Sequence, residues 1–150
     1  METTQSKKQT KSSSILRWIL LLPVAALSAI LITFPLHWAL YWSLSGGPDP
    51  FISPYPQMPE KILQPMVSAI TFVFVSGVLA PKANITVSKI AAGLWCIGLV
   101  LAVFIVQKQG MPITQILQDN YYGVPILSGI LGAVIGVSAI KKNLKNDDIK

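Results

Sequence analysis

Residues 18 to 48 read WILLLPVAALSAILITFPLHWALYWSLSGGP, and none of them is Asp, Glu, Lys or Arg. A bilayer core of about 30 Å is crossed by roughly 20 predominantly apolar residues in a helix. A stretch this long without charge has no place on the surface of a soluble domain. The pattern then recurs three times, from Ile62 to Pro81, from Ile90 to Gln107 and from Asn120 to Ile140. Each run is near or above the spanning length. We therefore read an all-α integral membrane protein, with four transmembrane helices packed as a bundle at about 15–42, 62–80, 87–106 and 122–140.

Composition agrees with this. Charged residues make up 12% of the 150 residues, against about 25% in ordinary soluble domains. The net charge of +6 invites a nucleic-acid reading. The basic residues, however, sit in short segments flanking the apolar runs, where they orient a membrane protein. No nucleic-acid partner is expected, and membrane lipid is. The single cysteine, Cys96, lies inside the third run and has no partner for a disulfide or a CxxC motif.

Outside the runs the chain divides simply. Residues 1–14, METTQSKKQTKSSS, have nothing to bury and are expected to form a disordered cytoplasmic tail. Residues 15–140 hold the four helices, and 141–150 form a basic cytoplasmic tail. The first apolar run extends well past a signal-peptide core of 7 to 15 residues, so an uncleaved helix is expected. Ten of the twelve Lys and Arg lie in the two tails, at Arg17 and in the 81–89 connection. The two longer loops carry only Lys61 and Lys108. The positive-inside rule then places both termini in the cytoplasm and both longer loops outside, with the cytoplasmic (inner or plasma) membrane as the expected location. The sequon Asn84-Ile85-Thr86 falls on the cytoplasmic side and is assigned no function.

Helix faces follow from spacing. Ala25, Ala29, Thr33, His37 and Tyr41 form a small-to-polar stripe that should face the bundle. Ile30, Phe34, Trp38 and Trp42 form a bulky stripe that should face lipid. Pro23 and Pro35 each remove a backbone donor, so a kink is expected at one or both. In the second run Ala69, Val73, Ser76 and Ala80 make a small face. In the third, Gly98 and Ala102 are a small-xxx-small pair. The fourth carries the strongest packing signal: Ser128, Gly129, Gly132, Ala133 and Gly136 share a face, with GxxxG spacing from Gly132 to Gly136. Close packing inside the bundle is expected there, with a homodimer interface as the alternative. The segment 113–117 is expected to lie in the interface as a short helix.

The stretch from Phe34 to Glu60 holds the only histidine, six of the eleven prolines and six of the thirteen aromatics. The residues of interest as an outer contact site are His37, Tyr41, Asp49, Tyr55 and Glu60. Loops longer than about 12 to 15 residues are usually functional or disordered, and the loop from Ser43 to Lys61 exceeds that.

Chemistry-bearing groups are scarce. No Asp, Glu, Lys or Arg falls deep in a predicted helix, which argues against a proton-coupled carboxylate pathway. His37, Asp49, Glu60 and Asp119 have no ligand-like spacing, so no metal or other cofactor is expected. There is no GxSxG and no phosphate loop. We expect no catalytic residue and no enzyme. The function expected is a structural or accessory subunit that binds a protein partner or lipid through the outer proline-rich loop and the small-residue faces. The alternative is a small oligomeric transporter or channel with His37 near its outer mouth.

Overall fold

A computed structural model of the chain describes residues 2–44, 57–80, 84–119 and 121–147, with side-chain surroundings for 17–44, 58–80, 84–119 and 121–143. It is helical, with no strand among the described residues. The elements are α1 (Glu2–Leu31), α2 (Thr33–Leu44), α3 (Gln57–Leu79), α4 (Asn84–Lys108), α5 (Ile113–Gln118) and α6 (Gly123–Asp147). Four helical segments are long and apolar enough to cross a membrane: Arg17–Leu44, Met58–Leu79, Asn84–Lys108 and Gly123–Asn143. The shortest of these has 21 residues, about 31 Å at 1.5 Å per residue.

The first span is two helices rather than one. α1 ends at Leu31 and α2 begins at Thr33, with Ile32 as a turn between them. The interruption comes one turn before Pro35. Proline has no N–H, so the carbonyl of Leu31 loses its normal donor from that position. The backbone bonds from Ile32 N to Ser28 O (3.1 Å) and from Leu36 N to Ile32 O (3.3 Å) carry the chain across the break. The Thr33 hydroxyl adds a bond to the carbonyl of Ile30 at 2.7 Å. Pro23 lies inside α1 without interrupting it.

Several ends differ from those expected. α1 begins at Glu2, so the polar segment expected to be disordered is helical here. α3 begins at Gln57, five residues before the expected start, because Pro59 falls in its first turn, where a missing N–H costs nothing. α6 continues past Lys141, Lys142 and Lys145 to Asp147. Lysine is a good helix former, so these charges do not end the helix. At the end of α4, Gly110 has φ of 101°, a left-handed conformation that favours glycine after a helix. The expected interfacial segment is α5. Its Ile116 is buried, while Ile113 and Leu117 are exposed.

α3 is the central helix. α1, α4 and α6 all pack against it, and α6 also packs against α4, whereas α1 approaches neither α4 nor α6 through its backbone. The core is built of small residues. Ala69 and Val73 of α3 meet Ala91 of α4 and Ala133 of α6, with Phe72, Ala92, Trp95 and Val137 around them. A second cluster joins Leu21 of α1, Ala80 at the end of α3 and Val87 of α4. Small side chains allow helices to approach where lipid supplies no hydrophobic drive for association. Three of the buried serines satisfy themselves locally: the hydroxyls of Ser76, Ser88 and Ser128 donate to the carbonyls of Phe72, Asn84 and Pro125 at 2.7, 2.8 and 3.1 Å. This removes the cost of burying a free hydroxyl away from water.

Candidate functional site

Chain direction brings the end of α2, the start of α3, the end of α4, α5 and the start of α6 to one end of the bundle. His37 stands one turn beyond Thr33 on α2, and Glu60 lies in the first turn of α3. Their side chains meet: His37 Nδ1 and Glu60 Oε1 are 2.6 Å apart. The residues are 23 apart in sequence, and the bond ties α2 to α3. The histidine side chain is 45% exposed and the carboxylate 20%. His37 stacks on Tyr41 with ring centroids 6.1 Å apart and planes at 24°. Trp38 packs edge-on to both rings, with centroids 6.0 Å from each.

Of the five residues expected to form an outer contact site, three are therefore gathered: His37, Tyr41 and Glu60. Asp49 and Tyr55 lie outside the described residues, as does most of the proline-rich loop. The outward placement of the bulky stripe is visible directly. Ile30, Phe34, Trp38 and Trp42 are all exposed, while Ala25 and Ala29 of the small stripe are buried.

A second tie at this end has no counterpart among the sequence expectations. Lys61, next to Glu60, turns the other way and places its ammonium 4.6 Å from the ring centroid of Tyr121. Tyr121 is held in turn by its own N–H, which donates to Asp119 Oδ1 at 2.6 Å. Glu60 thus binds α3 to α2, and Lys61 binds α3 to the α5–α6 joint. Neighbouring opposite charges at a helix start were readable from sequence; their partners depend on the topology. Among the described residues no group of three or more His, Cys, Asp or Glu side chains could hold a metal ion.

The glycines fall into two environments. On α6, a Cβ at Gly132 would run into the backbone carbonyl of Met66, and one at Gly136 would lie 2.9 Å from Val73 Cβ and 3.2 Å from the Ile70 carbonyl. A Cβ at Gly129 would meet Leu99 and Trp95 at 3.3 Å. Gly129, Gly132, Ala133 and Gly136 all lie within the α3–α4–α6 contact, and all four are buried. Gly77 of α3, which spacing did not single out, is equally tight: a Cβ there would collide with Ser88 Oγ and lie 2.9 Å from Ile140. On α4, a Cβ added at Gly93 or Gly98 would have nothing within 4 Å. Ala102 is exposed beside Gly98.

Trp95 is a further residue that spacing did not single out. It sits mid-way along α4 rather than at an interfacial end, and its ring packs on Phe72 with centroids 5.5 Å apart. Its Nε1 is shielded and has no hydrogen-bond partner among the described residues. A tryptophan in the middle of an apolar run is the signal that marks it, since the other three, Trp18, Trp38 and Trp42, lie near the ends of their span. Beside it, a cavity of about 450 Å³ opens between α1 and α4, lined by Ala26, Ala29, Ile30, Thr33, Ser68, Phe72 and Trp95.

Comparison with protein-family models, curated proteins and solved structures finds no match for this chain. Any functional reading therefore stands on the residues themselves.

Proposed function

We propose that this chain is a non-enzymatic accessory subunit of a membrane assembly, which engages a protein partner through α4 and through the His37 end of the bundle. The observation that carries this reading is the open face of α4. Gly98 and Ala102 present a small-xxx-small surface to the outside, the arrangement that lets a second helix approach closely in lipid. The corresponding glycines of α6 are occupied by α3 and α4. At the His37 end, the ties from Glu60 to His37 and from Lys61 to Tyr121 hold three helical segments in fixed register. In sequence, the proline-rich loop connects the two helices, α2 and α3, that the first tie joins. We place both termini in the cytoplasm, with the His37 end outside, on the distribution of Lys and Arg.

The test is purification from native membranes in mild detergent, comparing the wild-type chain with Gly98→Leu. A partner, or a second copy, should accompany the wild-type chain and be lost from the variant. Equal recovery with both chains contradicts the reading. A second reading, a small oligomeric channel or transporter, draws on the exposed histidine at the His37 end. It requires several copies to enclose a path, and His37→Ala would then abolish a flux measured in vesicles.

A further inference from the structure

We propose that the cleft between α1 and α4 is a phospholipid site that selects an amine-bearing headgroup. This deepens the accessory reading above by naming a lipid partner. It begins from the way the helices are joined. Beyond the cluster of Leu21 and Val87, α1 and α4 both lean on α3 and not on each other, so a groove runs between them with α3 as its floor. Its walls are Ala26 and Ala29 on one side and Trp95 on the other, with Ser68 and Phe72 beneath. Its volume of about 450 Å³ falls within the 300–1,000 Å³ typical of small-molecule sites. The alanines and Thr33 keep the groove open, and its surface is almost wholly apolar. An acyl chain fits this chemistry.

The groove leads to a charged end. Thr33 lines it, and His37 is one turn further along the same face of the first span. Ser68 lines its floor, and Gln64 and Glu60 follow at intervals of four on α3. Glu60 is the acid on this side of α3, Asp119 being engaged with Tyr121 at the α5–α6 joint, and one of its two oxygens is engaged by His37. A carboxylate has room for several further donors. The neighbouring cation, Lys61, is directed to Tyr121 instead. The carboxylate therefore lies two turns beyond Ser68 on the α3 floor of the groove, bonded to the His37 ring and without a lysine or arginine bonded to it among the described residues. A primary ammonium supplies the complementary charge and a donor for a charge-assisted bond. A phosphatidylethanolamine has both parts in the right order: the amine at Glu60 and one chain along Ser68 and Phe72.

The experiment uses the full chain, purified and stripped of lipid, then exchanged with dioleoyl phosphatidylethanolamine or dioleoyl phosphatidylglycerol and examined by native mass spectrometry. Retention of the ethanolamine lipid should exceed that of the glycerol lipid about tenfold, the scale of one charge-assisted hydrogen bond. Glu60→Gln should erase the preference, while His37→Gln, which breaks the same tie but leaves the carboxylate, should keep it. Ala29→Trp should reduce retention of both lipids by filling the groove. Phosphoethanolamine without acyl chains should fail to compete. Equal retention of the two lipids overturns the proposal, as does an identical loss in Glu60→Gln and His37→Gln, or full competition by the tailless headgroup. Thermal midpoints of each variant show whether the fold is kept; the wild-type preference and its persistence in His37→Gln carry the test if Glu60→Gln does not fold. The measurement needs no protein partner, so its failure leaves the accessory reading to be judged by co-purification.

Discussion

α4 and α6 both carry glycine four residues from another small residue, yet their glycines do opposite things. On α6, Gly132 and Gly136 lie against the backbone and side chains of α3, so closely that a methyl group has no room. On α4, a Cβ at Gly98 would meet nothing within 4 Å among the described residues. The difference comes from the neighbours. α6 lies along the face of α3 made by Ala69, Val73 and Ser76, all fully buried. α4 buries Val87, Ser88 and Ala91 near its start and exposes most of its remaining length. A small-residue motif records that a close approach is possible. Only the arrangement of the other helices tells whether the approach is made within the chain or left for something else.

The comparison is broken most forcefully at Gly132. Leucine there must displace the backbone at Met66, which cannot yield as a flexible side chain would. Overpacking usually costs about 1–3 kcal/mol, so a loss of about 3 kcal/mol or more is expected, read as unfolding in detergent. Gly136→Leu meets Val73, a side chain with some freedom, and should cost about 2 kcal/mol by the same measurement. His37→Ala removes a partly exposed tie and should cost about 0.5 to 1 kcal/mol, since such pairs contribute little in contact with water. Gly98→Leu should leave stability within about 0.5 kcal/mol of wild type, as substitutions into open surface generally do. Its effect should show instead in association, as loss of the co-purifying partner. If Gly98→Leu unfolds the chain and Gly132→Leu does not, the two faces have been assigned the wrong way round.

Much of this architecture was legible in the sequence. Charge-free runs announce the four long helices because a charged group in hydrocarbon is so costly that its absence over about 20 residues is informative. The bulky stripe of the first span is outward as expected, and the small stripe is buried at Ala25 and Ala29, but its polar end is not: Thr33 and Tyr41 are half-buried and His37 is exposed, because the first span packs on α3 mainly along α1. Helix ends were harder. Lysines after Ile140 change the surroundings of α6 without weakening its backbone bonds, and Pro59 is harmless in a first turn. The tie of His37 to Glu60 was visible only as two polar residues 23 apart. Which of Glu60 and Lys61 would face α2 depends on the rotation of α3, and no local pattern records it. The groove beside Trp95 arises because α1 and α4 fail to meet at that level, a property of the whole bundle.

The most direct test places a photoreactive leucine analogue at position 98 or at position 137 of the full chain, where Val137 packs partly buried against Ala69 and Val73 of α3 and Ala91 of α4, and irradiates native membranes. The expected result is a crosslink to another chain from position 98 and an internal crosslink to α3 or α4 from position 137. An intermolecular product from position 137, with none from position 98, would contradict the division of roles between α4 and α6.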